Sequence, residues 1–182
     1  MLNTNGILIP ENKEKYNVFV SIYTKSANIY KDYNNESNKK IDIKIPMTIM
    51  VLRWDGCIGF PGGIVENNPN KSVLENIEDS LVREFIEEVN FDLYGRDFNL
   101  LTCYEKEDSC TTNWSLEVDF ITFSNILRTS PYARDYFSEG AAIPVHLIEY
   151  PNGKGLPMFL NNNFKATAKD ELIELVKLTK EK

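Results

Sequence analysis

Hydrophobic residues recur every four positions between residues 73 and 89. They are Ile77, Leu81 and Phe85. This spacing places them on one face of an α-helix, which would pack against the core. Ser72 with Glu75 three residues later is typical of a capping box, and Asn90 tolerates the left-handed conformation in which many helices end. The pattern predicts a helix that begins near Val73 and makes about four turns.

Segments rich in β-branched, aromatic and alternating apolar residues flank this helix and predict strands. These segments are residues 16–24, 47–54, 98–106 and 113–124. A turn at Asp55-Gly56, followed by a short return strand through Ile58, would lead into a pair of glycines. Residues 25–40 predict a loop, and residues 125–138 fit neither pattern because a proline would interrupt a helix there.

The C-terminal segment contains a second helical pattern. Thr167 with Asp170 predicts a capped start, and apolar residues follow on one side of the helix: Leu172, Leu175, Val176 and Leu178. With strands on both sides of the first helix, the chain is predicted to be a mixed α/β or α+β protein, a single domain over residues 1–182. The pattern alone leaves the order of the strands open.

Composition and charge narrow the class of protein. The chain of 182 residues is 42% hydrophobic and 12% aromatic, as expected of a globular protein, and its formal net charge is −7. This acidity argues against a broad nucleic-acid-binding surface, so contact with RNA would need a local basic patch. Three cysteines without a CxxC pair and a single histidine argue against a zinc site. The sequence shows no leader or membrane span, and we expect an intracellular protein, cytoplasmic or nuclear.

The last turn of the predicted helix carries three glutamates, Glu84, Glu87 and Glu88. The helix dipole disfavours negative charge there, and the spacing brings all three to one face, where they repel one another. Arg83 can pair with Glu87, but one cation does not neutralise three anions. A divalent cation resolves this conflict, because clustered carboxylates are ligands for Mg²⁺ or Mn²⁺. A solvated acidic face is the alternative, which we disfavour because Glu88 also lies in the sector of the apolar stripe.

The residues around this cluster resemble a known motif. The sequence from Arg83 to Phe91 is REFIEEVNF, Glu75 precedes Arg83 by eight positions, and Gly63 lies upstream. This arrangement is similar to the Nudix box, G-x5-E-x7-R-E-U-x-E-E-x-G-U, where U is aliphatic or aromatic. It departs from the box in two places: eleven residues separate Gly63 from Glu75, more than the general box has, and Asn90 replaces the last glycine.

The lengthened loop resembles a subgroup of the Nudix family, the snoRNA-decapping enzymes and inosine diphosphatases. The likeness extends to the segments RWDG at 53–56 and GLPMFL at 155–160. The resemblance implies an α/β/α sandwich with a mixed central sheet and a catalytic loop-helix-loop. It also implies hydrolysis of a diphosphate linkage in a nucleotide or capped-RNA substrate, and it suggests a homodimer.

The chemistry of the glutamates assigns them separate roles. Glu84 and Glu88 are predicted to be the primary metal ligands, and Glu87 to share a metal ion or polarise its water. Arg83 would orient Glu87 without touching substrate. A backbone carbonyl from the glycine pair would complete the coordination, contributed by Gly62 or Gly63.

By carry-over from the subgroup, Arg53 and Phe60 match nucleotide-binding positions, and their chemistry suits phosphate pairing and base stacking. The alternatives are that Arg53 is a charge at the edge of a strand and that Phe60 packs in the core. Glu139 matches an acidic position that can reach the metal cluster, with a surface glutamate as the alternative. The proton acceptor is left open between Glu139, Glu87 and no dedicated base. Glu171 stands where the subgroup has a glutamine that helps to read the base, so a preference for inosine nucleotides does not carry over.

Three functions are consistent with these residues. The first is hydrolysis within the 5′ cap of RNA, which predicts a basic groove beside the site. The second is hydrolysis of free nucleoside diphosphates or nucleotide cofactors, which predicts a closed pocket. The third is an inactive RNA-binding scaffold of the same fold, and the intact glutamates and Arg83 argue against it.

Overall fold

The computed structural model describes residues 2–31 and 41–180. The first part of the chain forms strands β1 (Leu2–Asn3), β2 (Lys15–Lys31), β3 (Ile41–Arg53), β4 (Ile58–Gly59) and β5 (Gly62–Ile64). Helix α1 (Val73–Val89) is followed by β6 (Phe98–Glu105), β7 (Ser109–Glu117), α2 (Phe120–Thr129), α3 (Tyr136–Glu139) and β8 (Gly140–His146). The C-terminal part contains β9 (Glu149–Tyr150), β10 (Lys154–Gly155), α4 (Leu156–Phe159) and α5 (Ala168–Lys180).

Within these ranges eight strands form one mixed sheet in the order β1-β6-β7-β2-β3-β4, with β5 also beside β2 and β8 also beside β3. β2 pairs in parallel with β7 and antiparallel with β3 and β5. The first half of β2 therefore pairs with β5. From β5 the chain enters the loop before α1.

Helices cover both faces of the sheet, because alternate side chains of a strand point to opposite sides. One set of β2 side chains packs on the face covered by α1 and α2: Val18, Val20 and Ile22. The other face carries Phe19 and Tyr23, and α5 closes it with Leu172 and Leu175. This arrangement confirms the predicted α/β/α sandwich. No helix in the described part of the chain is long and apolar enough to cross a membrane.

The strands before α1 are longer than predicted. Residues 25–31, predicted to be a loop, continue β2 past an irregularity between Thr24 and Ala27 and pair with β3. Pro46 lies inside β3, opposite that irregularity, where interrupted pairing tolerates a residue without an N–H. The remainder of the predicted loop, residues 32–40, lies outside the described residues.

The strand predicted over residues 113–124 is wrong beyond Glu117, because α2 begins at Phe120. The Asp119 carboxylate accepts a hydrogen bond from the backbone N–H of Thr122 at 2.8 Å and so caps this helix. The ambiguous residues 125–138 contain the end of α2, a 3₁₀ turn that includes Pro131, and most of α3.

Candidate active site

The loop before α1 and the two ends of the helix are held by local hydrogen bonds. As predicted, Ser72 and Glu75 form a capping box, in which the Glu75 carboxylate accepts from the Ser72 N–H at 2.8 Å. Asn90 ends the helix with a left-handed backbone φ of 56°. The two departures from the Nudix box therefore leave the helix and its ends in place.

The glycines of β5 allow the sheet and the last turn of α1 to meet. A Cβ at Gly62 would lie 2.1 Å from the Val18 carbonyl oxygen, and the φ of 141° at this position also disfavours other residues. A Cβ at Gly63 would lie 2.6 Å from the Glu84 carboxylate. The N–H of Gly62 donates a hydrogen bond to Glu88. A metal-binding role for the carbonyl of Gly62 or Gly63 stays a prediction.

Glu88 lies in the interior of the cluster, with 7% of its surface exposed. One of its oxygens accepts a hydrogen bond from the Gly62 N–H at 2.9 Å. Burial raises the pKa of Glu88 to about 8; the charges of Glu84 and Glu139 act in the same direction, and the Gly62 N–H and Arg53 oppose them. No Lys or Arg of the described ranges forms an ion pair with this carboxylate. Glu88 is thus a buried acid that no cation of the described ranges pairs with directly.

Glu84 pairs with Arg83, which also pairs with Glu87. Its Oε1 lies 2.7 Å from Nη2 of Arg83. Burial raises the pKa of Glu84, Arg83 opposes this shift, and the charges of Glu87 and Glu139 add to it. Arg83 also donates to Glu87 at 3.0 Å and to the carbonyl of Ile64 at 3.2 Å. The predicted contact between Arg83 and Glu87 is present, but the guanidinium is divided among four partners, since its Nε also lies 3.5 Å from Oε1 of Glu66.

Arg134, which the sequence analysis missed, is a second cation at the cluster. Its Nη1 donates to Oε1 of Glu87 at 2.8 Å, and its Nη2 lies 2.8 Å from Oε2. The carbonyl of Glu87 in turn accepts from the N–H of Asp135 at 2.9 Å. Glu87 is therefore compensated by two arginines, and the charge conflict remains at Glu84 and Glu88. No local signal reveals this contact, since Arg134 lies in the ambiguous segment, 47 residues after its partner.

Glu139 and Arg53 reach the cluster from two further elements. Because β3 pairs with β8 in a register that places Arg53 opposite Gly140, the end of α3 lies beside the end of β3. Nη1 of Arg53 is 3.0 Å from Oε2 of Glu139. The N–H of Asp135, just before α3, donates to the Glu87 carbonyl and so holds α3 beside the end of α1, and the charge of Glu139 raises the pKa of both Glu84 and Glu88. The structure thus brings together the acidic residues predicted from the sequence.

A pocket adjoins the cluster on the side of the sheet that α5 covers. Its lining includes Phe19, Arg53, Phe60, residues 165–168 and Glu171. Phe60 is 4% exposed and packs in the core of this face, as well as lining the pocket. Within the described residues, the buried Nε of Arg53 has no hydrogen-bond acceptor, and Oδ2 of Asp55 lies 3.8 Å from it. Arg53 therefore borders both the pocket and the carboxylates, with one donor unused.

In the part of the chain that the structure describes, no three His, Cys, Asp or Glu side chains are arranged around a common metal position. Arg83 and Arg134 engage two of the glutamates instead. The residues nevertheless fit a hard divalent cation. Glu88 is a buried oxygen donor without a cation, and Glu84 faces Gly63, where no side chain intervenes. Glu84 and Glu88 are therefore the residues that would hold a metal ion.

An α/β/α sandwich in which a glycine-containing strand faces the glutamate-rich end of a capped helix defines a Nudix hydrolase, an enzyme that cleaves diphosphate linkages. The chain belongs to the Nudt16-like family, described as U8 snoRNA-decapping enzyme-like, whose family model matches residues 23–180. Nudix hydrolases generally need divalent metal ions, in agreement with the oxygen donors found here.

Two relatives and one solved structure illustrate the similarity. The U8 snoRNA-decapping enzyme of Mus musculus is 26% identical over 147 residues, which cover 75% of this chain and 72% of the mouse protein. The enzyme of the same name from Xenopus laevis is 27% identical over 149 residues, covering 75% of this chain and 68% of its own. The crystal structure of a mutT/nudix family protein from Listeria innocua matches with a TM-score of 0.54 and 14% identity, over 92% of this chain and 94% of that chain. At this identity the structural match confirms the fold alone.

Proposed function

We propose that this chain hydrolyses the diphosphate bridge in the 5′ cap of RNA, with Mg²⁺ or Mn²⁺ as its metal ion. The observation that carries the proposal is the position of Arg53, which lines the aromatic pocket and pairs with Glu139 of the carboxylate cluster. A base bound in the pocket would place its diphosphate next to that cluster. Similarity to snoRNA-decapping enzymes supports capped RNA as the substrate.

The pocket and the carboxylate cluster would bind different parts of the substrate. Phe19 and Phe60 offer aromatic surfaces on which a base can pack. The guanidinium of Arg53, which lines the pocket, suits a phosphate oxygen, since guanidinium groups pair strongly with phosphate. Glu84 and Glu88 would hold the metal ion, which when bound supplies positive charge that offsets the negative charge of the diphosphate.

Glu139 is the better placed of the two predicted proton acceptors. Both oxygens of Glu87 already accept hydrogen bonds from arginines, which leaves less of this carboxylate free to contact a water molecule. Glu139 pairs with Arg53, and 38% of its side chain is exposed, so it can also contact a water molecule. We assign proton acceptance to Glu139, and to Glu87 the role of fixing the end of α1 to the segment that carries Arg134.

The pocket itself favours a second candidate, hydrolysis of free nucleoside diphosphates. Its lining combines Phe19 and Phe60 with a few polar groups, among them Arg53 and Thr167, as expected of a site for a small molecule. Arg134 and Lys165 favour capped RNA instead. Their side chains are 65% and 56% exposed, and they would be available to a strand that leaves the pocket.

The test compares turnover of 5′-capped RNA with that of inosine, guanosine and adenosine diphosphates and of dinucleotide cofactors, in Mg²⁺ and in Mn²⁺. We expect the capped nucleoside diphosphate to be released from RNA faster than any free nucleotide is hydrolysed. A variant with both Arg134→Ala and Lys165→Ala should lose affinity for RNA more than for free nucleotides. The Glu174→Gln substitution on α5, at a half-exposed glutamate, serves as the control.

Faster hydrolysis of free nucleotides would replace decapping by the second candidate. Absence of turnover with either metal ion would favour an inactive scaffold of the same fold. The homodimer and the cytoplasmic or nuclear location remain predictions, which sedimentation of the purified chain and imaging of a tagged chain would test.

A further inference from the structure

Two cysteines on neighbouring strands form a thiol pair. Cys103 lies in β6 and Cys110 in β7, and their sulfur atoms are 3.5 Å apart. Cys110 is fully buried, whereas Cys103 is partly exposed and packs at the border of the core on the α1 side of the sheet. Neither residue lines the pocket that adjoins the carboxylate cluster. The pair thus takes no part in the proposed hydrolysis.

The hairpin of β6 and β7 holds the two sulfur atoms together. The strands are antiparallel and joined by a short loop, and Cys110 lies opposite Glu105, two residues beyond Cys103. The cysteines are therefore diagonal neighbours across the strands. Nζ of Lys13 fastens the end of the hairpin, because it donates to the carbonyl of Lys106 at 2.8 Å and lies 2.8 Å from the Glu105 carboxylate. The contact between the thiols is thus built into a fixed part of the sheet.

The two thiols differ in access and in protonation. Burial raises the pKa of Cys110 to about 12; its hydrogen bond with Cys103 adds to this shift, while Lys13 opposes it. Cys110 therefore keeps its proton at neutral pH and can donate it to the sulfur of Cys103. A small oxidant would reach the partly exposed Cys103 first, since thiol reactions need access as well as a thiolate. The buried thiol then lies next to the sulfur that has reacted.

We propose that Cys103 and Cys110 form a reversible disulfide when the chain meets a small disulfide oxidant such as oxidised glutathione. The Cys103 thiolate attacks one sulfur of the oxidant and breaks its S–S bond, which gives a mixed disulfide and one glutathione thiolate. Cys110 then releases its proton to solvent and attacks the sulfur of Cys103, which expels the second glutathione thiolate. The two protein thiols lose two electrons and two protons, and oxidised glutathione is reduced to two thiols. This modification does not depend on the proposed hydrolysis.

The diagonal position of the pair makes the bond reversible. Diagonal neighbours on adjacent strands stand further apart than residues that face each other directly. The sulfur atoms must approach by about 1.5 Å to pass from contact to bond, which requires a small shift of β6 against β7. A disulfide that holds two strands away from their preferred register is reduced more easily than a relaxed one. We therefore expect reduced glutathione to restore both thiols.

The test is incubation of the complete chain at increasing ratios of oxidised to reduced glutathione, with the total concentration fixed. Free thiols are then alkylated in denaturant and the chain is mapped by mass spectrometry. Trypsin cleaves after Lys106, between the two cysteines, so the disulfide appears as two linked peptides. Cys57, a partly exposed cysteine in the turn before β4, is the internal control. Half of the pair should be oxidised at a ratio at least about tenfold lower than the one that modifies half of Cys57, because the second step is intramolecular.

Two variants separate the steps of the reaction. Cys110→Ser should stop at the mixed disulfide, so that Cys103 carries one glutathione. Cys103→Ser should leave Cys110 unmodified, because the oxidant does not reach the buried thiol. Modification of Cys110 in that variant would contradict the proposed order of attack.

A pair that stays reduced while Cys57 is modified would overturn the inference, as would a disulfide that includes Cys57. A linked pair that excess reduced glutathione does not reopen would contradict its reversibility. The measurements on the unaltered chain decide the matter even if a variant does not fold. Because no nucleotide or metal ion is present, the result is separate from that of the decapping assay.

Discussion

Arg53 borders two regions that each contain a buried glutamate, and these glutamates are held in different ways. Glu88, at the end of α1, accepts from a backbone N–H and lies near two further carboxylates. Glu171, at the start of α5, accepts from two neutral side chains and has no direct cation among the described residues. In the first environment the nearby arginines pair with other glutamates and, among the described residues, leave Glu88 without an ion pair, as expected of a residue that binds a metal ion. In the second, both oxygens of Glu171 accept hydrogen bonds from neutral side chains of the fold, so the contrast separates a carboxylate placed for a cation from one held by its own neighbours.

Replacement of Glu88 should have the largest effect on activity, which should fall, whereas the stability of the chain should rise. Glu88→Gln should lower kcat/KM by at least about a hundredfold, because even groups that only support metal ligands are worth about 10–100-fold. In chelator the same variant should unfold at a higher temperature, because a neutral amide keeps an acceptor for Gly62 without a buried acid. Steady-state kinetics and thermal unfolding check the two halves. Full activity in Glu88→Gln would refute the proposed mechanism.

Replacement of Gly63 should disturb the carboxylate cluster and spare the fold. In Gly63→Ala the new Cβ would lie 2.6 Å from the Glu84 carboxylate, which must move away. We expect kcat/KM to fall by about tenfold or more, as misplacement of a group that positions a catalytic site does. The unfolding temperature should change little, because only the end of a flexible side chain is displaced. A large loss of stability with normal activity per folded molecule would contradict this account.

These residues also show which parts of the structure the sequence can predict. The bounds of α1 follow from signals within a few residues of each end, namely Ser72, Glu75 and Asn90, and the prediction is confirmed. The start of α2 was missed although Asp119 is an equally local cap, because the residues after it extend the alternating apolar pattern of β7. Local rules therefore succeed where cap and periodicity agree.

The assembly of the site depends on contacts between distant segments. Glu139 reaches the cluster because β3 pairs with β8, and Arg134 reaches Glu87 across the fold. Family resemblance pointed to Glu139, whereas Arg134 had neither a motif nor a local pattern. The charge conflict in the last turn of α1 predicts a metal site, which stays a prediction, and the number of cations around Glu87 required the tertiary structure.

Replacement of Arg134 should have a smaller effect than replacement of a candidate ligand. Arg134 is largely exposed, and its ion pairs with Glu87 and Asp135 are screened by water. We expect Arg134→Ala to lower kcat by about fivefold or less at low salt, with a smaller loss at high salt. Kinetics at two ionic strengths would check this expectation. A loss as large as that of Glu88→Gln would mean that Arg134 acts directly on the substrate.

The smallest predicted effect is on the pH dependence of stability. Burial raises the folded-state pKa of Glu171, so the folded chain keeps a proton that the unfolded chain releases near its ordinary pKa of 4.5. The contribution of this group to the free energy of unfolding is complete below that value and is lost as pH rises through the folded-state pKa. Denaturant unfolding in chelator should show Glu171→Gln gaining stability relative to the unaltered chain as pH rises. A difference that does not vary with pH would contradict the burial of an ionisable group there.

The central claim is that Glu84 and Glu88 form a divalent-cation site next to the base pocket. Titration with Mn²⁺, followed by electron paramagnetic resonance, measures this without any substrate. We predict that the unaltered chain and Glu171→Gln bind Mn²⁺ alike, and that Glu88→Gln binds it at least about tenfold more weakly. Equal affinity in Glu88→Gln would show that the buried carboxylate does not hold the metal ion.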